Sequence, residues 1–326
     1  MSKPDSLIPG VKSGSRRALA QLITRIESTR PDHRLQATEA LAELLPDTGR
    51  SLRVGISGVP GVGKSSFIES FGLHVIEQGH RVAVLAVDPS SPKHGGSILG
   101  DKTRMENLAR HPDAFVRPTP SAGSLGGVAR RTRETILAVE AAGFDVVLVE
   151  TVGVGQSEYA VADLVDMFVL LVAPGGGDDL QGIKKGIVEM ADLLVVTKND
   201  GDLVQAASRA YQDYTSAVYM LNAGNEHWKP QVLRCSAHTG EGIGGVWEKM
   251  SDFRETMQNA GLIEKRRAEQ AASWMWEEVT ATLIDKVRKK GGIADKMEAE
   301  VRDGIRTPAD AAREILQQFN LDTLKS

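Results

Sequence analysis

The stretch Gly58-Val59-Pro60-Gly61-Val62-Gly63-Lys64-Ser65 decides how this chain is read. It fits G-x-x-x-x-G-K-[ST], the spacing of a phosphate-binding P-loop. An apolar run, Leu52-Arg53-Val54-Gly55-Ile56-Ser57, precedes it, and a helix-like run, Ser66-Phe67-Ile68-Glu69-Ser70-Phe71, follows. That is the strand–loop–helix setting the motif requires. The glycines let backbone N–H groups turn inward around a polyphosphate. Lys64 is placed to reach the β- and γ-phosphates, and the Ser65 hydroxyl to hold Mg²⁺. The following helix directs its positive end at the same anion. Gly58, Val59, Pro60, Gly61, Val62, Gly63, Lys64, Ser65 and Ser66 are the candidate phosphate-binding residues. A plain glycine turn is the competing reading, and the spacing and context set it aside.

The rest of the composition is ordinary. The 326 residues suffice for one large α/β domain with appended elements. Hydrophobic content of 41% and charged content of 25% are those of a soluble globular protein. A net charge of −4 points neither to nucleic acid nor to a polybasic membrane contact. The single cysteine, Cys235, excludes an internal disulfide and a cysteine-based metal cage. It is expected to be a small buried filler at a strand end. No apolar run approaches the ~20 residues that span a bilayer. The start, Met1-Ser2-Lys3-Pro4-Asp5-Ser6, lacks the apolar core of a signal peptide, so a cytoplasmic location is expected.

Outward from the P-loop the chain divides into three expected regions: a helical N-terminal extension (1–50), a nucleotide-binding domain (51–260) and a helical arm (261–326). In the extension, Leu19, Leu22, Ile23 and Ile26 recur at i, i+3, i+4, i+7, one apolar face. A second set, Leu35, Ala40, Leu41, Leu44 and Leu45, follows Pro31. The piece reads as a cap over the domain's core, with a partner-docking arm as the alternative. From residue 52 the pattern alternates strand and helix. Strands are expected near Leu52–Ser57, Arg81–Val87, Ala114–Arg117, Asp145–Glu150, Met167–Ala173, Leu193–Thr197 and Val232–Cys235. Several are near-continuous Val/Leu runs, as befits strands buried on both faces of a parallel sheet. The expected fold is a doubly wound, mostly parallel α/β sheet. In the arm, one long helix is expected from Glu264 to Arg288, striped by Ala272, Met275, Val279, Leu283 and Val287, with Trp274 and Trp276 beside it. A break at Gly291-Gly292 and two shorter helices follow. A lone helical tail cannot bury its own stripe, so it packs on the core or on a second subunit.

The base is read further along. Val195-Val196-Thr197-Lys198-Asn199-Asp200 closes a strand with T-K-x-D, a variant of the N-K-x-D guanine motif. A carboxylate at Asp200 accepts from guanine N1–H and the 2-amino group. Adenine offers neither donor, so a buried unpaired carboxylate rejects it. The Lys198 stem lies along the base. Thr197 replaces the usual Asn, so one supporting hydrogen bond is expected to differ. After another strand comes Cys235-Ser236-Ala237-His238-Thr239-Gly240, where Ser236 and Ala237 match the loop that backs guanine O6 with a main-chain N–H. Together these select GTP rather than ATP.

The hydrolytic centre is expected around Val146-Val147-Leu148-Val149-Glu150-Thr151-Val152-Gly153. Glu150 ends the strand and suits a water-mediated link to Mg²⁺. Asp88, in Ala86-Val87-Asp88-Pro89, ends another, and two strand-end carboxylates near one Mg²⁺ is sensible coordination. Gly153 is placed to sense the γ-phosphate. Val154, not Gln, follows it, so Gln156 is the remaining candidate for positioning the attacking water. Slow intrinsic hydrolysis, accelerated by a partner, is expected. Two glycine-rich loops are candidate switches: one with Asp101 and Arg104, of which Asp101 is also a candidate for the metal, and one with Asp178, Gln181 and Lys184.

Taken together, GVPGVGKS, AVDPSS, VETVGVGQSE and VTKND resemble the MeaB/ArgK-type P-loop GTPases of the SIMIBI class, relatives of the methylmalonic aciduria type A protein. GDKTRM at Gly100–Met105 and LLVAPGGGDDLQGIKKGI at Leu170–Ile187 make the resemblance specific, and it spans nearly the whole chain. It implies a GTP-hydrolysing chaperone that gates adenosylcobalamin loading of methylmalonyl-CoA mutase and protects the enzyme. It also implies delivery of intact cofactor from an adenosyltransferase, exchange of damaged cofactor, and a homodimer formed through the C-terminal arm. Switch roles for Asp101–Arg104, Gly153–Gln156 and Asp178–Lys184 follow from the same likeness. Two other readings stand beside it. One is a kinase of a transport protein, which needs a phosphoacceptor site and usually ATP. The other is a nickel-inserting metallochaperone GTPase, which needs a Cys/His cluster; the seven His are scattered and there is no Cys pair.

Overall fold

The computed structural model describes residues 7–87, 105–119, 125–151, 157–175, 185–221, 227–289 and 292–318. By its contacts the chain forms two compact units, Met1–Arg266 and Arg267–Ser326.

The first unit is built on seven parallel strands in the order β3-β2-β4-β1-β5-β6-β7. They are β1 (Leu52–Gly58), β2 (Val82–Val87), β3 (Ala114–Thr119), β4 (Val146–Thr151), β5 (Met167–Val172), β6 (Leu193–Val196) and β7 (Gln231–Arg234). β2, β4, β5 and β6 are buried at every residue, the consequence of near-continuous Val/Leu sequence covered on both faces. Each strand expected from the sequence is present within two residues of its expected ends. In this order β1 lies between β4 and β5, with later strands running away on both sides. The crevice at the carboxyl ends of such a sheet is where ligands bind in doubly wound folds.

Helices α1 (Ile8–Lys12), α2 (Arg16–Ile26) and α3 (Pro31–Leu44) precede β1. Ser15 caps α2 by accepting from the Ala18 N–H, and Pro31 opens α3 at the position where its missing N–H costs nothing. Leu19, Leu22, Ile23 and Ile26 are all buried, as their spacing predicts. The α3 face differs from expectation. Ala37, Ala40, Leu41 and Leu44 are buried, while Leu35 and Leu45 are exposed. Ala37 sets the i, i+3, i+4, i+7 register, which turns Leu35 to the far side, and Leu45 has left the α-helix for a 3₁₀ turn. The extension packs within the first unit, against α6 (Leu125–Ala141).

The central strand β1 carries a charge, Arg53. It forms a two-pronged pair with Glu140 of α6, at 2.8 Å for both Nε and Nη2. Glu140 also accepts from the Ser51 hydroxyl at 2.5 Å and the Gly49 N–H at 3.0 Å. Burial pushes the Glu140 carboxyl up, but these donors hold it below the ordinary value.

Completing the first unit are α4 (Lys64–Glu77), α5 (Glu106–Arg110), α7 (Ser157–Ala162), α8 (Lys185–Met190), α9 (Val204–Leu221) and α10 (Ile243–Asn259). α11 (Leu262–Lys289) runs on into the second unit, which holds α12 (Ile293–Arg302) and α13 (Pro308–Gln318). Within the second unit Arg306 bridges Glu300 and Asp310, tying the α12–α13 corner together. The α11 stripe stays open: Met275, Trp276, Val279, Leu283 and Ile284 are all exposed. Leu283, Ile284 and Val287 also line an apolar groove of about 650 Å³ with Met297, Val301 and Ile315.

Candidate nucleotide site

β1 delivers its last residue, Gly58, into the crevice. A Cβ there would lie 2.5 Å from the Leu171 carbonyl oxygen of β5, so only glycine allows the chain to leave the sheet so close to its neighbour. Gly63, the residue before α4, has φ 99°, left-handed backbone that again favours glycine. Between them the loop brings Lys64 and Ser65 to the first turn of α4.

Lys64 turns back on its own loop. Its Nζ donates to the Gly58 carbonyl at 2.7 Å and to Val59 at 3.4 Å. Burial lowers its pKa, while the Glu150 and Glu158 carboxylates pull it back up. The Ser65 hydroxyl donates to Glu150 Oε1 at 3.2 Å. Glu150 is the penultimate residue of β4 and is buried. A hydroxyl beside a carboxylate supplies the hard oxygen donors that Mg²⁺ prefers, so the residues present fit that ion. Beneath them the Thr151 hydroxyl donates to Ser57 Oγ at 3.0 Å, joining the ends of β4 and β1.

The base side is assembled at the ends of β6 and β7. The Asn199 N–H bonds the Cys235 carbonyl, and the Cys235 N–H bonds Val196, carrying the parallel ladder past both strands. Thr197 is buried, and its hydroxyl donates to the Val62 carbonyl at 2.7 Å. The threonine in place of Asn thus holds the base loop against the P-loop through its own hydroxyl. Lys198 has φ 55°, left-handed backbone that costs a non-glycine residue about 1–2 kcal/mol. The turn sends its stem over the P-loop, where Nζ donates to the Gly61 carbonyl at 2.8 Å. The Ser236 hydroxyl donates to Asp200 Oδ2 while accepting from the His238 and Thr239 N–H groups. The Ser236 N–H is engaged by Glu241, whereas among the described residues the Ala237 N–H has no acceptor. Cys235 behind this loop is fully buried, as expected for a strand-end filler, and burial pushes its thiol up to about 12.

The structure therefore brings the P-loop, Glu150, Thr197, Lys198, Asp200, Ser236 and Ala237 around one crevice. Asp88, Asp101, Arg104, Gly153, Gln156, Asp178, Gln181 and Lys184 lie outside the described residues. Two contributions escaped the sequence reading. The Thr197–Val62 bond was signalled only by the departure from Asn. The influence of Glu158 on Lys64 was signalled only by an acid following Gln156 and Ser157.

Fold and crevice together define a P-loop nucleotide-binding protein. Comparison with known proteins then gives the family: that described as "Methylmalonyl Co-A mutase-associated GTPase MeaB" matches residues 19–292, and the chain belongs to it. It is similar to a "Putative GTPase" of Caulobacter vibrioides, 52% identical over 320 residues, covering 97% of this chain and 98% of that one. It is also similar to the "Methylmalonic aciduria type A homolog, mitochondrial" of Mus musculus, 47% identical over 328 residues, 97% of this chain and 79% of that one. A solved structure titled "Crystal structure of LAO/AO transport system kinase" matches with TM-score 0.76 and 36% identity, covering 98% of each chain. Among the described residues no helix is long and apolar enough to cross a membrane.

Proposed function

We propose that this GTPase is a chaperone of methylmalonyl-CoA mutase, gating adenosylcobalamin loading and protecting or reactivating the enzyme. The observation that carries the reading is the family match over residues 19–292, whose description ties the family to that mutase. The crevice supports the nucleotide half of it. Asp200, held by Ser236, is the reader of guanine N1–H and the 2-amino group, and the Ala237 N–H is the donor for O6. Lys64 binds the β- and γ-phosphates on exchanging its carbonyl partners for phosphate oxygens. Mg²⁺ would be held by Ser65 and, through water, by Glu150, with Asp88 and Asp101 as further carboxylates; when bound it neutralises phosphate charge. Gly153 senses the γ-phosphate and Gln156 orients the attacking water. Intrinsic turnover is slow, and the segments carrying Asp101, Arg104, Asp178, Gln181 and Lys184 respond to nucleotide and client.

The protein works as a cytoplasmic homodimer, with an adenosyltransferase as a second partner. The exposed α11 stripe supports the dimer, because Met275, Trp276 and Leu283 form an apolar face that a second copy would cover.

The test is co-purification with a methylmalonyl-CoA mutase and measurement of GTP turnover with and without it. Turnover is expected to rise in the complex, and Lys184→Ala is expected to keep basal hydrolysis while weakening the rise. Absence of both binding and stimulation refutes the client. A preference for ATP with phosphoryl transfer to a protein would replace this reading by the kinase one.

A further inference from the structure

One guanidinium of the first unit is buried away from the nucleotide crevice. Arg131 of α6 is only 7% exposed. Its Nε and Nη1 are buried and, among the described residues, have no hydrogen-bond partner. A guanidinium grips an oxyanion with either Nε and Nη2 or Nη1 and Nη2, and each of those edges contains one of the two idle nitrogens. A buried charge left uncompensated is strongly unfavourable, so protein interiors give such a group a partner or an ion.

The carboxylates around Arg131 accept from neither nitrogen. α6 packs on α2 and α3. The charges that act on Arg131 there are Arg130 and Glu134 of α6 itself, Glu27 at the carboxyl end of α2, and Arg34 in the first turn of α3. Glu27 is already engaged: its carboxylate accepts from both Nε, at 3.2 Å, and Nη2 of Arg117 on β3. Arg34, Arg117, Arg130 and Arg131 thus face only Glu27 and Glu134, a surplus of two positive charges. Burial, and after it the Arg130 charge, lowers the Arg131 pKa, with Glu27 opposing, Arg34 adding to the effect and Glu134 opposing. Arginine nevertheless keeps its proton, so what the corner lacks is an acceptor. This corner is not part of the crevice. Arg117 stands on the edge strand β3, with β2 and β4 between it and β1, about 14 Å across the sheet.

We propose that the corner between α2, α3 and α6 is a second anion site, in which Arg131, with Arg34 and Arg130 beside it, takes a small oxyanion of the phosphate type. A tetrahedral oxyanion suits the corner in charge and in shape. It offsets the positive surplus, and its several oxygens accept from more than one guanidinium at once. Arg131 is covered while Arg34 is exposed, so the corner admits a small ion rather than the face of another protein.

The test uses the full-length protein saturated with a non-hydrolysable GTP analogue and Mg²⁺, which keeps added phosphate out of the P-loop. Inorganic phosphate is titrated by calorimetry, and thermal melting is recorded in phosphate and in chloride at matched ionic strength. One phosphate per chain is expected to bind, with a rise in melting temperature that chloride does not give. Arg131→Met is expected to lower phosphate affinity at least about tenfold and to lose most of that rise. In chloride it should melt no earlier than wild type, because an apolar side chain replaces an uncompensated ion. Arg131→Lys keeps the charge without the two-pronged fork, and Arg34→Ala removes an exposed neighbour; each is expected to weaken binding about threefold. Glycerol 3-phosphate separates the sources: binding tighter than phosphate assigns the site to the phosphate group of a larger molecule, and weaker binding assigns it to the free ion. The proposal is overturned if the wild type binds no phosphate, or if Arg131→Met binds it as well as wild type. It is also overturned if Arg131→Met melts earlier by the same amount in both salts, the behaviour of a purely structural arginine. Should Arg131→Met fail to fold, unchanged phosphate affinity in both Arg131→Lys and Arg34→Ala overturns it equally.

Discussion

The two halves of the crevice are built on different plans. The base half is held by bonds between its own loops and the strands around them: Thr197 bonded to Val62, Asp200 to Ser236, Asn199 to Cys235. Only Oδ2 of Asp200 is engaged in them, and on the proposed reading they leave the Ala237 N–H and the other edge of the Asp200 carboxylate for the base. The phosphate half holds itself together with the groups that, on the proposed reading, it gives up to the ligand. Lys64 is bonded to the Gly58 carbonyl and Ser65 to Glu150, both contacts that phosphate and Mg²⁺ would replace. On the proposed reading, the base half is preorganised, whereas gripping the phosphates requires an exchange of partners. The first favours selectivity and the second makes the site responsive to occupancy.

Perturbing each half should separate these properties. The largest effect is expected at Lys64→Ala: loss of the donor to the γ-phosphate lowers kcat by at least about 100-fold, measured by phosphate release. Unchanged turnover would remove Lys64 from the phosphate half altogether. Next is Asp200→Asn, which exchanges two charge-assisted bonds to guanine for a mismatched amide. GTP affinity should fall about 100-fold and xanthosine triphosphate, whose C2 carbonyl accepts from the new amide, should be preferred in competition binding. Intact GTP preference would show that the base is read elsewhere. Thr197→Val keeps the shape but strands the Val62 carbonyl, at about 1–2 kcal/mol. KM for GTP should rise about tenfold with kcat largely kept; a matched fall in kcat would show that the two halves are not separable.

The smallest effect is expected far from both halves, at the opposite edge of the sheet, where Asp192 precedes β6. Its carboxylate accepts the Phe168 N–H at 2.8 Å, and its carbonyl accepts from Trp228 Nε1. Burial raises its pKa to about 6, against the pull of Arg266 and the Phe168 N–H. A carboxyl whose folded pKa lies above its unfolded one is a cost at neutral pH that is relieved as pH falls through 6. Between pH 7 and pH 5 this group should return about 1 kcal/mol of stability. Urea titrations of wild type and Asp192→Asn at the two pH values check this: the difference between them should shift in favour of wild type at pH 5. An unshifted difference would mean that the carboxylate is better solvated than its surroundings suggest.

Much of the fold is legible in the sequence because apolar runs such as Val82–Val87 and Met167–Val172 are long, continuous and bounded by turns. Where patterning is ambiguous the apolar residues mislead. Leu35 and Leu45 are large apolar residues, so they claimed a place in the α3 stripe. The small Ala37, which carries little hydrophobic signal, actually holds it because close helix packing favours a short side chain. The P-loop and the T-K-x-D and Ser-Ala loops are legible because phosphate and guanine dictate residue type and spacing. The hydroxyl of Thr197 was not, since its acceptor is a backbone carbonyl distant in sequence that leaves no mark on residue choice.

Cys235 turns this architecture into something that can be followed chemically. It is the one thiol in the chain, it sits directly behind the Ser236–Ala237 loop, and its main-chain groups close the ladder to Val196 and Asn199. With its pKa pushed up to about 12, almost none of it is thiolate at neutral pH, and alkylating reagents meet a buried, protonated sulfur. Its rate of modification consequently reports any opening that uncovers the end of β7, carried by the native chain with no label added.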